Sequence, residues 1–193
     1  ITFKYFDYDI SRQKVFRRDG KRYTVSPYGL IWDNENYYLV AFDHVNQEMR
    51  HYRVDKMAEL AVTCVPAEGG PEGFDVAAYA AKHFGMFSGR EGKLRLRCEN
   101  PMVGVVLDRF GQDVMLVPDG ESHFTVTVDA VVSPQFFGWL FGLGPGVTLL
   151  SPDWAVEDFR RRLEEDRSGE GAAASCEAER RNRTGGGRAE AEG

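Results

Sequence analysis

A chain of 193 residues with 42% hydrophobic content can form one large globular domain or two small ones. No apolar run reaches the roughly 18 residues of a membrane-spanning helix. A net charge of −6 argues against general nucleic-acid affinity, which needs a basic surface. The charge is uneven: residues 1–60 carry ten Lys/Arg against nine Asp/Glu, 61–154 six against eleven, and 155–193 eight against ten. Any nucleic-acid contact is therefore expected in the first sixty residues. Cys64, Cys98 and Cys176 are irregularly spaced, which argues against a disulfide framework and a zinc site and for a reducing cytoplasm. The N-terminus, ITFKYFDYDI, has no charged stretch ahead of an apolar one, so it does not read as a signal peptide. It begins in mid-strand without Met, as expected of a fragment of a longer chain.

Residues 1–8 alternate as a strand, with Phe3, Tyr5 and Asp7 on one side and Lys4, Phe6 and Tyr8 on the other. After a turn at Asp19-Gly20, residues 23–57 read as three consecutive strands rich in β-branched and aromatic residues. Pro27 belongs at an edge or bend, because proline cannot donate to a ladder. Asp33-Asn34-Glu35-Asn36 and His44-Val45-Asn46-Gln47 are the two hairpin turns. Short strands joined by short turns predict an antiparallel sheet curling into a small barrel over 1–65.

PAEGGPEG at 66–73 reads as a linker, and Phe74, Ala77, Ala78, Ala81 and Phe84 recur at helical spacing with Gly85 as the stop. Linker and helix together span 66–92. Residues 93–166 then predict strand, helix, strand, strand, helix and strand, with a terminal helix carrying Trp154, Phe159 and Leu163. Asn100-Pro101, Ser133-Pro134 and Ser151-Pro152 serve as helix starts. The βαββαβ order is the ferredoxin-like pattern. The fold class is thus α+β, a small β-barrel followed by a ferredoxin-like domain. Residues 167–193 are small, charged and glycine-rich, and are expected to be disordered.

Catalytic motifs are wanting. Ser26, Ser133 and Ser151 precede prolines, as capping or turn residues do, and no G-x-S-x-G elbow is present. His44, His51, His83 and His123 show no metal-ligand spacing. The run from Phe141 to Gly146 lacks the Lys-Ser/Thr of a P-loop and leads into a strand. No enzyme activity, metal or cofactor is expected. The basic and hydroxyl groups of the first domain, Ser26, Tyr38, His44, Arg50, Arg53 and Lys56, are the candidate ligand set. Guanidinium forks and hydroxyls can grip phosphate while tyrosine rings stack on a base. The same residues also fit a solvated strand in which Arg53 pairs with Asp55. Strict alternation puts Arg50 and Arg53 on opposite faces, so one shared ligand would need a bulge near Tyr52 or a site at the barrel rim.

Three phrases, SPYGL (26–30), NYYLVA (36–41) and RHYRVDKM (50–57), resemble the WYL domain of bacterial transcriptional regulators. The namesake triplet falls on Tyr37-Tyr38-Leu39, with Tyr where the family usually has Trp; Lys56 stands where Arg is common. Gly138-Trp139-Leu140 and Gly144-Pro145-Gly146-Val147 resemble the C-terminal extension of those proteins, so the likeness covers roughly residues 1–165. The resemblance implies an Sm-like barrel acting as sensor for a nucleic-acid or nucleotide effector. It further implies a homodimer whose promoter DNA is bound by an N-terminal helix-turn-helix absent from these residues. By motif position it implies Ser26, Tyr38, Arg50, Arg53 and Lys56 as site residues. His44 is added because it ends its strand beside Arg50 across the hairpin. The other reading of such a chain is a ligand-free dimerisation arm, with Phe136, Phe137, Trp139, Leu140 and Phe141 as interface.

Overall fold

The structure, a computed structural model, describes residues 1–67 and 70–168. It is mixed α+β and divides into two units, Ile1–Glu91 with Ala130–Phe136, and Gly92–Asp129 with the residues from Phe137 on. Among the described residues, no helix is long and apolar enough to cross a membrane.

The first unit is built on a six-stranded antiparallel sheet. Its strands are β1 (Thr2–Tyr8), β2 (Lys14–Phe16), β3 (Tyr23–Asp33), β4 (Asn36–Asp43), β5 (Glu48–Arg53) and β6 (Met57–Ala61). They lie in the order β2-β1-β3-β4-β5, and β6 also pairs with β1. The sheet curls around Phe3, Tyr5, Tyr23, Val25, Leu39, Ala41 and Tyr52. Phe3 stacks on Tyr23 at 5.5 Å and meets Tyr52 edge-on at 5.1 Å, geometries that suit aromatic quadrupoles. Both predicted hairpins form: Asn34 and Glu35 join β3 to β4 with positive φ, and residues 44–47 join β4 to β5. The register shifts between Pro27 and Gly29, the bend that proline forces on a ladder.

Beyond β6, the described residues from 62 to 75 form neither helix nor strand. The Asp75 carboxylate caps α1 (Val76–Lys82) by accepting from the N–H groups of Ala77 and Ala78. This helix packs on the outer face of the sheet, where Tyr38, Val40 and Met86 form a second cluster with Val76, Tyr79 and Ala80. Gly29 makes room for it, since a Cβ there would stand 3.1 Å from the Val76 methyls. Gly89 is stricter still: its Cβ would fall 2.0 Å from the Val132 carbonyl oxygen.

A four-stranded sheet with its helices follows, in the order β10-β7-β9-β8; it lies mostly in the second unit, while Arg90–Glu91, the end of β9 from Ala130 and the start of α3 to Phe136 belong to the first. Its elements are β7 (Arg90–Glu99), α2 (Val103–Phe110), β8 (Leu116–Asp119), β9 (His123–Val132), α3 (Pro134–Gly142), β10 (Val147–Ser151) and α4 (Asp153–Ser168). This is the element order expected from the sequence. β9 buries Phe124, Val126 and Val128 on one face. Ser133 caps α3 by accepting from the Phe136 N–H at 3.3 Å. Asn100 does not cap: a 3-10 turn over Asn100–Met102 comes before α2, and the Asn100 amide donates to the Glu121 carbonyl at 2.9 Å. In α3, Phe136, Phe137 and Leu140 are buried within the chain, and Phe141 alone of its aromatics is widely exposed, at 69%. The tail expected to be disordered begins at Arg167; Arg167 and Ser168 are still helical, and residues 169–193 lie outside the described residues.

Candidate functional site

The β4–β5 hairpin positions most of the candidate residues. Asp43, 1% exposed, closes its turn. One carboxylate oxygen accepts from the Val45 and Asn46 N–H groups, the other from the Asn46 amide at 2.7 Å and the Tyr52 hydroxyl at 2.9 Å. Burial pushes the Asp43 carboxyl up, yet these donors outweigh it and hold it below the usual carboxylate range. Burial, and then the same carboxylate, push the Tyr52 phenol far up, so it stays a donor.

β5 pairs with β4 in unbroken register from Asp43↔Glu48 to Tyr38↔Arg53, with no bulge near Tyr52. Alternation therefore holds along the strand. Arg50 shares the inner face with Tyr52, while His51 and Arg53 share the outer face with Tyr38. The candidate residues fall into four groups. Ser26 Oγ and His44 Nε2 lie 2.9 Å apart. Tyr38 is the cross-strand partner of Arg53, which bonds Asp55 twice, at 3.0 and 2.8 Å. Arg50 bonds Glu48 and comes within 3.9 Å of Asp43. Lys56 bonds Asp7 at 2.8 Å, and Arg17 takes the other Asp7 oxygen at 2.6 Å. Burial pushes the Asp7 carboxyl up, but its two cations outweigh that and hold it low. The structure thus joins Ser26 to His44 and Tyr38 to Arg53, and keeps Arg50 and Lys56 separate from both pairs.

A cleft of about 460 Å³ runs along the unpaired side of β5. It is lined by the strand from Glu48 to Tyr52, by Tyr5, Arg17 and Tyr23 on one side, and by Tyr79 and His83 on the other. Of the six candidate residues, Arg50 is among its lining groups; Ser26, Tyr38, His44, Arg53 and Lys56 are not. The Arg17 guanidinium sits 5.3 Å from the centre of the Tyr5 ring, a cation–π contact at the cleft wall. The Tyr5 hydroxyl is engaged as acceptor for the Arg53 N–H at 3.0 Å, which shows that alternate backbone groups of β5 point away from β4.

The far side of the cleft is a histidine–tyrosine cluster. His51 Nδ1 lies 2.9 Å from the Tyr79 hydroxyl, and the ring also bonds the Met86 backbone. Burial, then the nearby His83, pushes His51 down to about 4, so the neutral ring accepts at Nδ1 from the Tyr79 O–H. Burial pushes Tyr79 up to about 12. His83 Nδ1 donates to the Tyr79 carbonyl at 2.7 Å and completes the group.

Asp43, Arg17, His51, Tyr79 and His83 were not chosen from the sequence. Asp43 had a local signal: an Asp at the head of a short polar turn between two strands can accept from the N–H two residues on, as in an Asx turn. The others come from separated segments, and folding alone brings them together.

Comparison with known proteins gives a name to each half of this frame. The model of the WYL domain matches residues 2–62, and that of the WCX domain matches residues 90–165. Along the chain, the WYL match is followed by the WCX match. Among solved structures it is similar to proteasome accessory factor B/C (PafBC) of Arthrobacter aurescens, at 19% identity and a TM-score of 0.33, over 84% of this chain and 24% of that one. It is also similar to a CRISPR Cas-related protein, at 16% identity and a TM-score of 0.46, over 89% of this chain and 48% of that one. The chain thus spans less than half the length of either protein. No curated protein matches it.

Proposed function

We propose that the first unit is the effector-sensing part of a transcriptional regulator, and that its ligand, a nucleic-acid strand or a nucleotide, binds in the cleft along β5. The observation that carries this reading is the meeting of Arg50 and Arg17 with Tyr5, Tyr23 and Tyr52 within a WYL domain. Guanidinium forks suit phosphate oxygens, and aromatic faces accept a base of any sequence. Glu48 holds Arg50 in an exposed pair, with the two side chains 54% and 38% exposed. Such a pair contributes about 0–1 kcal/mol, so a phosphate can displace Glu48 at small cost. In this reading Arg50 makes the phosphate contact. Ser26, His44, Tyr38, Arg53 and Lys56 brace the strands that carry it.

The curled first sheet supports an Sm-like barrel, and the strand order β10-β7-β9-β8 with a helix in each crossover supports a ferredoxin-like second unit. The ligand-bound state controls a helix-turn-helix of the full-length regulator, which contacts promoter DNA as a homodimer in the cytoplasm. The role is binding, with no catalytic step. Fluorescence anisotropy with a labelled single-stranded oligonucleotide tests it. Binding at low salt should weaken by about 1–3 kcal/mol in Arg50→Ala, the loss of a charge-assisted contact. Binding indifferent to Arg50→Ala would remove the cleft from the account.

A further inference from the structure

Outside the cleft, the strongest concentration of charge lies on the segment that crosses from β2 to β3. Residues 12–22 hold six Lys/Arg and one Asp, a balance of +5, whereas the rest of the chain holds 18 against 29, a balance of −11. All six basic residues are exposed. Arg17 is tied to Asp7 and Arg22 to Glu59. Arg12, Lys14, Arg18 and Lys21 have no carboxylate partner among the described residues. This is the reverse of Arg50, Arg53 and Lys56, each of which is paired with an acidic side chain.

Aromatic rings are interleaved with these cations. Lys14 Nζ stands 4.5 Å from the Phe6 ring centre, and the Arg18 guanidinium 4.4 Å from that of Tyr23. Tyr8 and Phe16 remain 56% and 36% exposed beside them. The backbone is built to present the group: Arg18, Asp19 and Gly20 are consecutive residues with positive φ (52°, 51° and 76°), and they turn the chain back on itself. Tyr23, under Arg18, and Arg17, next to it, also line the β5 cleft, so the basic segment adjoins the cleft mouth.

We infer that this segment is a second contact surface for single-stranded nucleic acid, in which Arg12, Lys14, Arg18 and Lys21 hold successive phosphates while Tyr8 and Phe16 offer faces for bases. The inference rests on the nucleic-acid reading of the cleft and extends it to a track that feeds a strand toward Arg50. Unpaired cations alone would serve any polyanion. The exposed rings among them favour a strand with unstacked bases over a duplex or a lipid surface.

The test uses the whole 193-residue chain and a labelled oligothymidylate of about 12 nucleotides, titrated between about 50 and 200 mM salt. Replacing Arg12, Lys14, Arg18 and Lys21 together by Gln should weaken binding at least tenfold. It should also flatten the log–log salt dependence by roughly 2–3, since each phosphate contact on a single strand contributes about 0.7. Tyr8→Ala should weaken binding several-fold with the salt slope unchanged. These positions are exposed, so thermal melting should match the unsubstituted chain. Loss of binding in Arg50→Ala with full affinity and slope in the fourfold Gln variant would overturn the track and leave the cleft standing. No binding by the unsubstituted chain at low salt would overturn both. Binding to phosphatidylserine vesicles without binding to the oligonucleotide would overturn the track in favour of a membrane surface.

Discussion

Half-buried on β5 against Tyr79 of α1, His51 gives up much of its water when the chain folds and receives a hydroxyl and a backbone bond in exchange. Burial disfavours its charged form, so the ring that takes a proton near 6.5 when unfolded does so only near 4 in the fold. Below 6.5 the unfolded chain binds the extra proton, and stability therefore falls as pH drops from 6.5 to about 4. By a pH of about 4.5 the loss should reach roughly 2–3 kcal/mol. The depressed carboxyls of Asp7 and Asp43 act at lower pH, because their contribution is present above 3.8 and fades only as pH falls through their lower folded values. Urea unfolding at pH 7 and at about 4.5 checks this. The unsubstituted chain should lose that increment, and His51→Gln, which keeps hydrogen-bonding groups without a titrating ring, should lose much less of it. Equal losses in both would show that the proton goes elsewhere.

At the scale of elements, α3 separates a packed core from a dimerisation arm. Phe136 is fully buried and packs edge-on to Phe84 at 5.2 Å, whereas Phe141 is 69% exposed. Phe136→Ala should cost about 3–5 kcal/mol, the usual range for emptying a buried aromatic site, and Phe141→Ala within about 0.5 kcal/mol. Chemical denaturation measures both. A shift from dimer to monomer on Phe141→Ala, seen by light scattering, would instead support the arm. Most elements were legible because hydrophobic alternation and turn chemistry are local: β9 follows its alternating valines, and the hairpin at Asn34-Glu35 follows its polar turn. β2 was missed because three exposed residues carry no period. Asn100 looked like a cap, but a tertiary bond to Glu121 takes its amide. The site was less legible. The arginines of the WYL phrase could be named from sequence, and strict alternation along β5 rightly set Arg50 and Arg53 on opposite faces. The cleft itself joins Tyr5, Arg17, Arg50 and Tyr79 from β1, the turn after β2, β5 and α1, a meeting that no local pattern encodes.

For the whole molecule, a net charge of −6 conceals a +5 segment next to a cleft of tyrosines and arginines, and this asymmetry is where the functional account rests. An acidic body repels nucleic acid in general, so under the proposed function a strand would be drawn to this basic segment and held where aromatic faces and Arg50 meet. The WYL domain supplies that approach; the WCX domain, residues 90–165, has its own core of Leu94, Leu96, Val126 and Leu149 and needs no ligand to fold in this account. The most direct measurement is amide chemical-shift mapping of the isotopically labelled chain on titration with a short oligothymidylate. Perturbations should gather on Glu48–Tyr52, Tyr5, Arg17 and Tyr23, with the amides of β7 to α4 largely unmoved. Perturbations confined to β7 to α4, or none at saturating oligonucleotide and low salt, would contradict the nucleic-acid reading of the cleft.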